Sequence, residues 1–193
     1  MLDQAANVDG RSAAHAGESR VRRALSPPRA GAPGPPWEPE RVNSSPATPR
    51  RAGRVLVLDP AGRVLLLQGF DPAVPDYRFW FTIGGGADPG ESLVEAAARE
   101  LHEEAGISAA PAELGEAVWR RTAEFSFDGR HYRQDEEYFV LRSDVVQITL
   151  DGLDEIERQT VTAYRWWDLD ELIASGEPFV PSELPAFLRD LTP

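Results

Sequence analysis

Three glutamates stand close together in the segment 100–104, and their spacing suits metal chemistry. Glu100, Glu103 and Glu104 lie at positions i, i+3 and i+4, so a helix there would present all three carboxylates on one face. Like charges at these spacings repel one another, and a hard divalent cation among them turns that repulsion into attraction. Mg²⁺ prefers oxygen ligands, so the spacing predicts a magnesium site. The alternative is a solvated acidic helix, which is common for an isolated cluster.

A glycine-rich segment, GGGADPGE at 84–91, precedes these glutamates. Glycine lets the backbone approach a bulky ligand closely, and we expect this segment to be a loop without regular structure. Arg99 stands next to the first glutamate and can fix the rotamer of a neighbouring carboxylate, for which Glu91 is the candidate.

The segment 85–107, GGADPGESLVEAAARELHEEAGI, resembles the complete signature of the Nudix hydrolases. Seven fixed and two apolar positions would coincide by chance about once in 10⁸ starting positions, which weighs against the solvated helix. The matched positions are Gly85, Glu91, Arg99, Glu100, Leu101, Glu103, Glu104, Gly106 and Ile107.

The resemblance implies a role for each of these residues. Glu103 and Glu104 would be the main metal ligands, and Glu100 would be a further ligand or the base that activates water. Gly85 would offer its backbone carbonyl to the metal or the substrate. Support of the site would come from Glu91, Arg99 and Gly106. The implied cofactor is Mg²⁺, with Mn²⁺ as a substitute.

A further glutamate on a later strand serves the metal in many members of the family that this chain resembles. Glu136 and Glu137 stand in such a place, and strand alternation puts them on opposite faces of a sheet. The resemblance favours Glu136 as a metal ligand. The alternative for either residue is a glutamate on a solvent-facing strand surface.

Arginines and aromatic residues on the strands are candidates for substrate binding. Arg54 and Arg78 could contact phosphates, and Trp80 and Phe81 could stack on a base. Surface ion pairs and core packing are the commoner roles of such residues. Further candidates for phosphate contacts are Arg120, Arg121 and Arg133.

The resemblance implies hydrolysis of a diphosphate bond in a nucleoside diphosphate linked to another moiety. The alternative is a non-catalytic Nudix-fold module that senses nucleotides or binds proteins, but such modules usually lose signature glutamates and none is lost here. The related isopentenyl diphosphate isomerases need a cysteine, which the chain lacks. Removal of RNA caps would fit the same residues, although the acidic charge of the chain counts against long RNA.

The pattern of the chain indicates elements that would position these groups. A helix is predicted over 92–105, with Ser92 as N-cap, Glu95 as its capping-box partner and Gly106 at its end. Strands are predicted at 54–58 and 63–69, at 79–83, and at 116–127 and 130–142 around the turn Asp128-Gly129. A further strand at 163–169 and helices at 169–174 and 182–191 complete the order. This order predicts an α/β fold with a mixed central sheet and helices on its faces, and the resemblance implies a Nudix-like α/β/α sandwich with helices on both faces.

Composition sets the remaining expectations. Residues 1–49 are rich in Ala, Pro and Arg and predict a disordered tail, which leaves 50–193 as the hydrolase domain. Residues 51–193 carry 13 Arg against 27 Asp and Glu, a net charge of −14, so broad nucleic-acid binding is not expected. No apolar run is long enough for a membrane span, and a cytoplasmic protein is expected. The expected partner is a small nucleotide-like diphosphate, and the sequence leaves a homodimer open.

Overall fold

Eight strands form one mixed sheet in the computed structural model, which describes residues 46–144 and 147–191. The strands are β1 (Thr48–Leu58), β2 (Val64–Phe70), β3 (Arg78–Phe81), β4 (Ile83–Gly86), β5 (Trp119–Phe127), β6 (Arg130–Arg142), β7 (Val161–Trp167) and β8 (Phe179–Val180). The helices are α1 (Leu93–Ala105), α2 (Pro111–Leu114), α3 (Glu155–Thr160), α4 (Leu169–Ser175) and α5 (Leu184–Leu191).

Strand β1 is the centre of the sheet and changes partner along its length. It runs parallel to β6 throughout, from Thr48 beside Tyr132 to Leu58 beside Arg142. On its other edge, residues 52–55 in the middle of β1 pair with β4, and its last residue pairs with Val64 of β2. Strands β3 and β7 both pair with β2. The sheet therefore branches at the point on β1 where pairing with β4 ends and pairing with β2 begins.

Helix α1 is fixed at both ends by local signals. The Ser92 side chain accepts from the backbone N–H of Glu95, and the Glu95 side chain accepts from the backbone N–H of Ser92, which closes a capping box. Gly106 ends the helix with φ 68°, a left-handed conformation that glycine adopts without cost. The predicted helix and both of its caps are confirmed.

The sheet carries a hydrophobic core on each face. One core joins β1 and β2 to α1 through residues such as Val55, Leu67 and Leu101. The other joins the opposite face to α4 and α5 through residues such as Leu56, Leu172 and Leu188. The alternation of Val55 and Leu56 along β1 follows the pleat of a strand that is covered on both sides. The predicted α/β/α sandwich is confirmed.

The predicted hairpins are also present. Asp128 and Gly129 both have positive φ, 49° and 72°, and connect β5 to β6 as a type I′ turn requires. The predicted strand at 79–83 is divided, because Thr82 separates β3, which pairs with β2, from β4, which pairs with β1.

Three sequence-based expectations need correction. Strand β1 begins at Thr48, so Thr48 and Pro49 belong to the sheet rather than to the tail, because the distant strand β6 pairs with them. Residues 84–86 lie in β4 and not in a loop, because β1 supplies their partners. The elements α2, α3 and β8 were not predicted. The prediction of disorder for 1–45 lies outside the described residues.

Among the residues that the structure describes, no helix is both long enough and apolar enough to cross a membrane.

Candidate active site

A cavity of about 760 Å³ opens where the sheet branches. Its lining combines three kinds of surface. Carboxylates and the β4 backbone come from the α1 side, arginines come from β1 and β5, and aromatic rings come from β2, β3 and the β5–β6 hairpin. The lining residues include Arg54, Phe81, Gly84, Glu100, Glu104, Arg121, Glu136, Tyr138 and Glu157.

Three carboxylates converge on one side of this cavity. Glu100 and Glu104 of α1 and Glu157 of α3 each offer an oxygen, and these oxygens all lie within 4.8 Å of one another. Glu100 and Glu104 are buried, at 7% and 4% exposure, and Glu157 is half-buried. We name these three residues the acidic trio.

Burial opposes the charge of the acidic trio. It raises the pKa of Glu104 to about 8, although the backbone N–H of Gly84 donates to Glu104 Oε2 at 2.7 Å and lowers that pKa in part. Burial also raises the pKa values of Glu100 and Glu157. The neighbouring positive groups do not fully neutralise the negative charge of the acidic trio. Its carboxylates are hard oxygen donors, so the trio fits a hard divalent cation.

Arg99 lies beside the acidic trio and holds the neighbouring loop to α1. Its guanidinium donates to Glu91 at 3.0 and 3.1 Å, to Glu100 at 2.9 Å, to Glu103 at 2.9 Å and to the carbonyl of Gly86 at 3.0 Å. These contacts raise the pKa of Arg99, with the hydrogen bonds to Glu91 as the largest cause. Arg99 therefore carries a fixed positive charge between the glycine segment and the helix.

Glu103 lies outside the acidic trio. Its side chain is 40% exposed and pairs with Arg99. Gly85, by contrast, lies directly against Glu100, because a Cβ at residue 85 would overlap the Glu100 carboxylate. The glycine at this position thus leaves room for the buried acid.

A second charged group also lines the cavity. Glu136 is buried between Arg54, at 3.5 Å, and Arg121, at 2.5 Å. Burial raises its pKa, but the two arginines hold the pKa of this carboxyl below its ordinary value. Glu137 points to the other face of the sheet, where it pairs with Arg120 at 2.9 Å, as strand alternation predicts.

The NUDIX domain family matches residues 48–190, which is most of the chain. The chain belongs to the Nudix family. It is a Nudix hydrolase of the pyrophosphohydrolase class, which hydrolyses a diphosphate bond in nucleotide derivatives. None of the matches supports the alternative of a non-catalytic module.

Curated relatives agree with this assignment. The chain is similar to the RNA pyrophosphohydrolase of Wolbachia pipientis, at 26% identity over 133 residues that cover 65% of this chain and 78% of the relative. It is also similar to the RNA pyrophosphohydrolase of Cereibacter sphaeroides, at 31% identity over 140 residues that cover 65% and 79%.

The fold is shared with solved structures of the family. The MutT protein of Methanosarcina mazei matches with a TM-score of 0.52 at 20% identity, covering 76% of this chain and 95% of that one. The MutT NUDIX hydrolase of Burkholderia pseudomallei matches with a TM-score of 0.52 at 22% identity, covering 75% and 99%.

The structure brings together two of the three signature acids predicted to bind metal, whereas Glu103, predicted as a main ligand, pairs with Arg99; one further acid comes from outside the signature. Glu100 and Glu104 meet at the cavity, and Glu91 and Arg99 form the predicted ion pair. The addition is Glu157, which sequence reasoning missed. Its segment, DEIE at 154–157, reads as a capping box, and Glu157 does exchange backbone–side-chain hydrogen bonds with Asp154.

The four residues predicted to bind substrate divide into two groups. Arg54 and Phe81 line the cavity, whereas Arg78 and Trp80 do not. Trp80 is buried in the core on the α4–α5 side, where its indole N–H donates to Glu177 at 2.6 Å. Strand β3 exposes alternate side chains to the cavity, which corrects the prediction for Arg78 and Trp80.

Proposed function

We propose that this Nudix hydrolase acts with Mg²⁺ on a small nucleoside diphosphate linked to another moiety. The observation that carries the proposal is the acidic trio, which lines the same cavity as two half-buried arginines, Arg54 and Arg121. Mn²⁺ is the proposed substitute ion, since it accepts the same oxygen ligands. A homodimer and a cytoplasmic location stay predictions from the sequence.

Glu100, Glu104 and Glu157 are proposed to hold the divalent ion. When bound, such an ion neutralises phosphate charge and makes a nearby water more acidic. Glu103 remains a proposed ligand from the signature, and its carboxylate pairs with Arg99 beside the trio. The proposed contribution of Gly85 is its backbone, which lies beside Glu100.

The chain's own residues then orient the reaction. Glu104 is held by the backbone N–H of Gly84, which fixes its carboxylate in the cavity wall. Arg99 donates to Glu100 and fixes its position. Glu100 then serves either as a further ligand or as the base that accepts a proton from the attacking water. Water attacks one phosphorus in line with the leaving phosphate, as in other phosphoryl transfers.

The size and lining of the cavity favour a small substrate. A volume of about 760 Å³ lies within the range of sites for small molecules. Phe81 and Phe125 line it and offer apolar rings to a base or to another flat group. The curated relatives act on RNA according to their names, so a triphosphate-ended RNA belongs among the substrates tested.

A substrate panel with Mg²⁺ or Mn²⁺ tests the proposal. It comprises nucleoside di- and triphosphates, ADP-ribose, nucleotide sugars, dinucleoside polyphosphates and a 5′-triphosphorylated RNA. We expect metal-dependent release of a nucleoside monophosphate from a small member. Glu104→Gln keeps the shape of the side chain and should abolish turnover. Activity on no member, or full activity of E104Q, would contradict the proposal.

A second variant tests the ligand role of Glu103. Glu103→Gln keeps the side-chain shape and removes one charge, so we expect loss of metal-dependent turnover while thermal unfolding stays unchanged. Glu116→Gln is the matched control, since Glu116 is exposed and away from the trio. Full activity of E103Q would show that Glu103 serves only its ion pair with Arg99.

A further inference from the structure

Two arginines from different strands meet at one buried glutamate in the cavity wall. Arg54 of β1 and Arg121 of β5 are mostly buried, with side-chain exposures of 18% and 22%, and both line the cavity. Their shared partner is Glu136 of β6, which is 4% exposed. We name these three residues the arginine array. It carries two positive charges and one negative charge, a net charge of +1 inside an acidic domain.

Three hydrogen bonds and one ion pair hold the carboxylate of Glu136. Its Oε1 accepts from Gln134 Nε2 at 2.7 Å and pairs with Arg54 at 3.5 Å. Its Oε2 accepts from Arg121 Nε at 2.5 Å and from the Tyr138 hydroxyl at 2.8 Å. A carboxylate offers about four lone-pair sites, so three hydrogen bonds and the nearby Arg54 guanidinium take up most of its capacity to bind a cation. Two guanidinium charges beside it also repel a metal ion.

The arginine array lies one peptide away from the acidic trio. Arg54 donates to the carbonyl of Gly84, and the N–H of Gly84 donates to Glu104 of the trio. Arg121 also donates to Glu183 at 3.2 Å, a residue whose side chain is 53% exposed. An exposed ion pair of this kind contributes little stability, so an anionic ligand can replace it at low cost.

We propose that the arginine array binds a phosphate of the substrate, with Arg54 and Arg121 as its ligands and Glu136 as the positioning residue. The inference rests on the proposed function, because it places the substrate's diphosphate between the trio and the array. Planar guanidinium groups match phosphate oxygens in geometry and in charge. It also gives Glu136 a role other than the metal ligation that the sequence predicts.

Strands β5 and β6 supply a matched control for each residue. Arg120 and Glu137 are the sequence neighbours of Arg121 and Glu136, and they form an equivalent ion pair on the opposite face of the sheet. Arg120→Met and Glu137→Gln therefore change the same charges without touching the cavity. Their side chains are 63% and 31% exposed.

Ligand binding is the first test, with methylenediphosphonate as a non-hydrolysable probe in the presence of Mg²⁺. We expect Arg121→Met to weaken binding by about tenfold to a hundredfold, as loss of a charge-assisted hydrogen bond predicts, whereas R120M binds like the wild type. Arg121→Lys keeps the positive charge but lacks the planar guanidinium group, so its affinity for methylenediphosphonate should lie between those of R121M and R120M. Equal binding by R121M and R120M would overturn the proposal, and R121K carries the same test if R121M fails to fold.

Metal binding is the second test, with Mn²⁺ alone followed by electron paramagnetic resonance. We expect Glu136→Gln to keep wild-type Mn²⁺ affinity and to lose methylenediphosphonate affinity, while Glu136→Asp restores part of it. In turnover, E136Q should raise KM more than it lowers kcat, and E137Q should change neither. Loss of Mn²⁺ affinity in E136Q, as in E104Q, would overturn the proposal and make Glu136 a metal ligand.

The two proposals fail separately. If no substrate is hydrolysed but methylenediphosphonate binding still depends on Arg121, the array stands and the enzymatic proposal fails. If a substrate is hydrolysed and R121M and E136Q match R120M and E137Q in KM, the enzyme stands and the array fails.

Discussion

Glu104 shows most directly how burial and charge oppose each other at the scale of a residue. The side chain is 4% exposed and its pKa rises to about 8 because burial disfavours the ionised form. The folded protein therefore binds a proton at Glu104 that the unfolded chain releases at about 4.5, the ordinary value. Protonation and a bound cation are two ways to relieve the same buried charge.

This conflict predicts how the stability of the metal-free protein depends on pH. Because the folded pKa lies above the unfolded one, the contribution of Glu104 to stability is full below about pH 4.5 and is lost as the pH rises through about 8. We expect the free energy of unfolding in urea, measured with EDTA, to be lower at pH 8 than at pH 5.5. The raised pKa values of Glu100 and Glu157 act in the same direction.

Glu104→Gln isolates the contribution of this residue. The amide is neutral at every pH and its oxygen can still accept from Gly84, so the pH dependence should become weaker. Mg²⁺ should restore stability to the wild type at pH 8, because it binds only the folded state. An equal pH dependence in wild type and E104Q would show that burial does not raise the Glu104 pKa.

The sequence identifies the acids that helix spacing brings together, but not Glu157, which depends on a distant contact. Glu100 and Glu104 share a helix face because they are four residues apart. Glu157 reaches them from α3, and its role as a capping residue gives no sign of this second contact. Arg121 and Glu136 meet through the register of β5 on β6, which strand alternation can suggest but not establish.

At the scale of elements, the contact between α1 and β1 determines where the signature helix lies. Gly53 of β1 lies directly beneath the helix, where a Cβ would overlap the Leu93 carbonyl and would come within 2.8 Å of the Ala97 nitrogen. These are backbone atoms of α1, so they cannot move aside as a side chain can. The absence of a side chain at residue 53 thus sets the distance between the helix and the sheet.

Gly53→Ala should therefore displace α1 and weaken the site as well as the fold. We expect a loss of about 1–3 kcal/mol in the free energy of unfolding, typical of overpacking in a core, together with weaker Mn²⁺ binding. Urea denaturation and Mn²⁺ titration measure the two effects. Arg51→Ala on the same strand is the control, since that side chain is exposed. Wild-type stability in G53A would show that α1 tolerates a wider spacing.

Elements with local signals were predicted correctly, and elements defined by distant pairing were not. Helix α1 and the β5–β6 hairpin carry their caps and turn in the sequence itself. Strand β4 consists mainly of glycines, which rarely form strands, and it is a strand because β1 pairs with it. Strand β8 has two residues and depends on β3, so no periodicity could reveal it.

At the scale of the whole molecule, charge is unevenly distributed. The full chain has a net charge of −12, and residues 51–193 alone carry −14. The cavity nevertheless contains Arg54 and Arg121, held by Glu136. A small polyanion can use this local positive charge together with a divalent ion, whereas a long one must also pass over acidic surface.

The charge of the whole molecule predicts how RNA binding responds to salt. A basic RNA-binding protein releases counterions, so its affinity falls linearly with the logarithm of salt concentration. Here we expect a labelled single-stranded RNA to bind weakly. Its affinity should not fall steeply with salt, because few basic residues neutralise its phosphates and because salt also screens repulsion by the acidic surface. Fluorescence anisotropy over a KCl series, at saturating Mg²⁺, measures this. Methylenediphosphonate is the control for a ligand that reaches only the cavity. A steep decline of RNA affinity with salt would show that a basic surface outside the cavity binds the chain of phosphates.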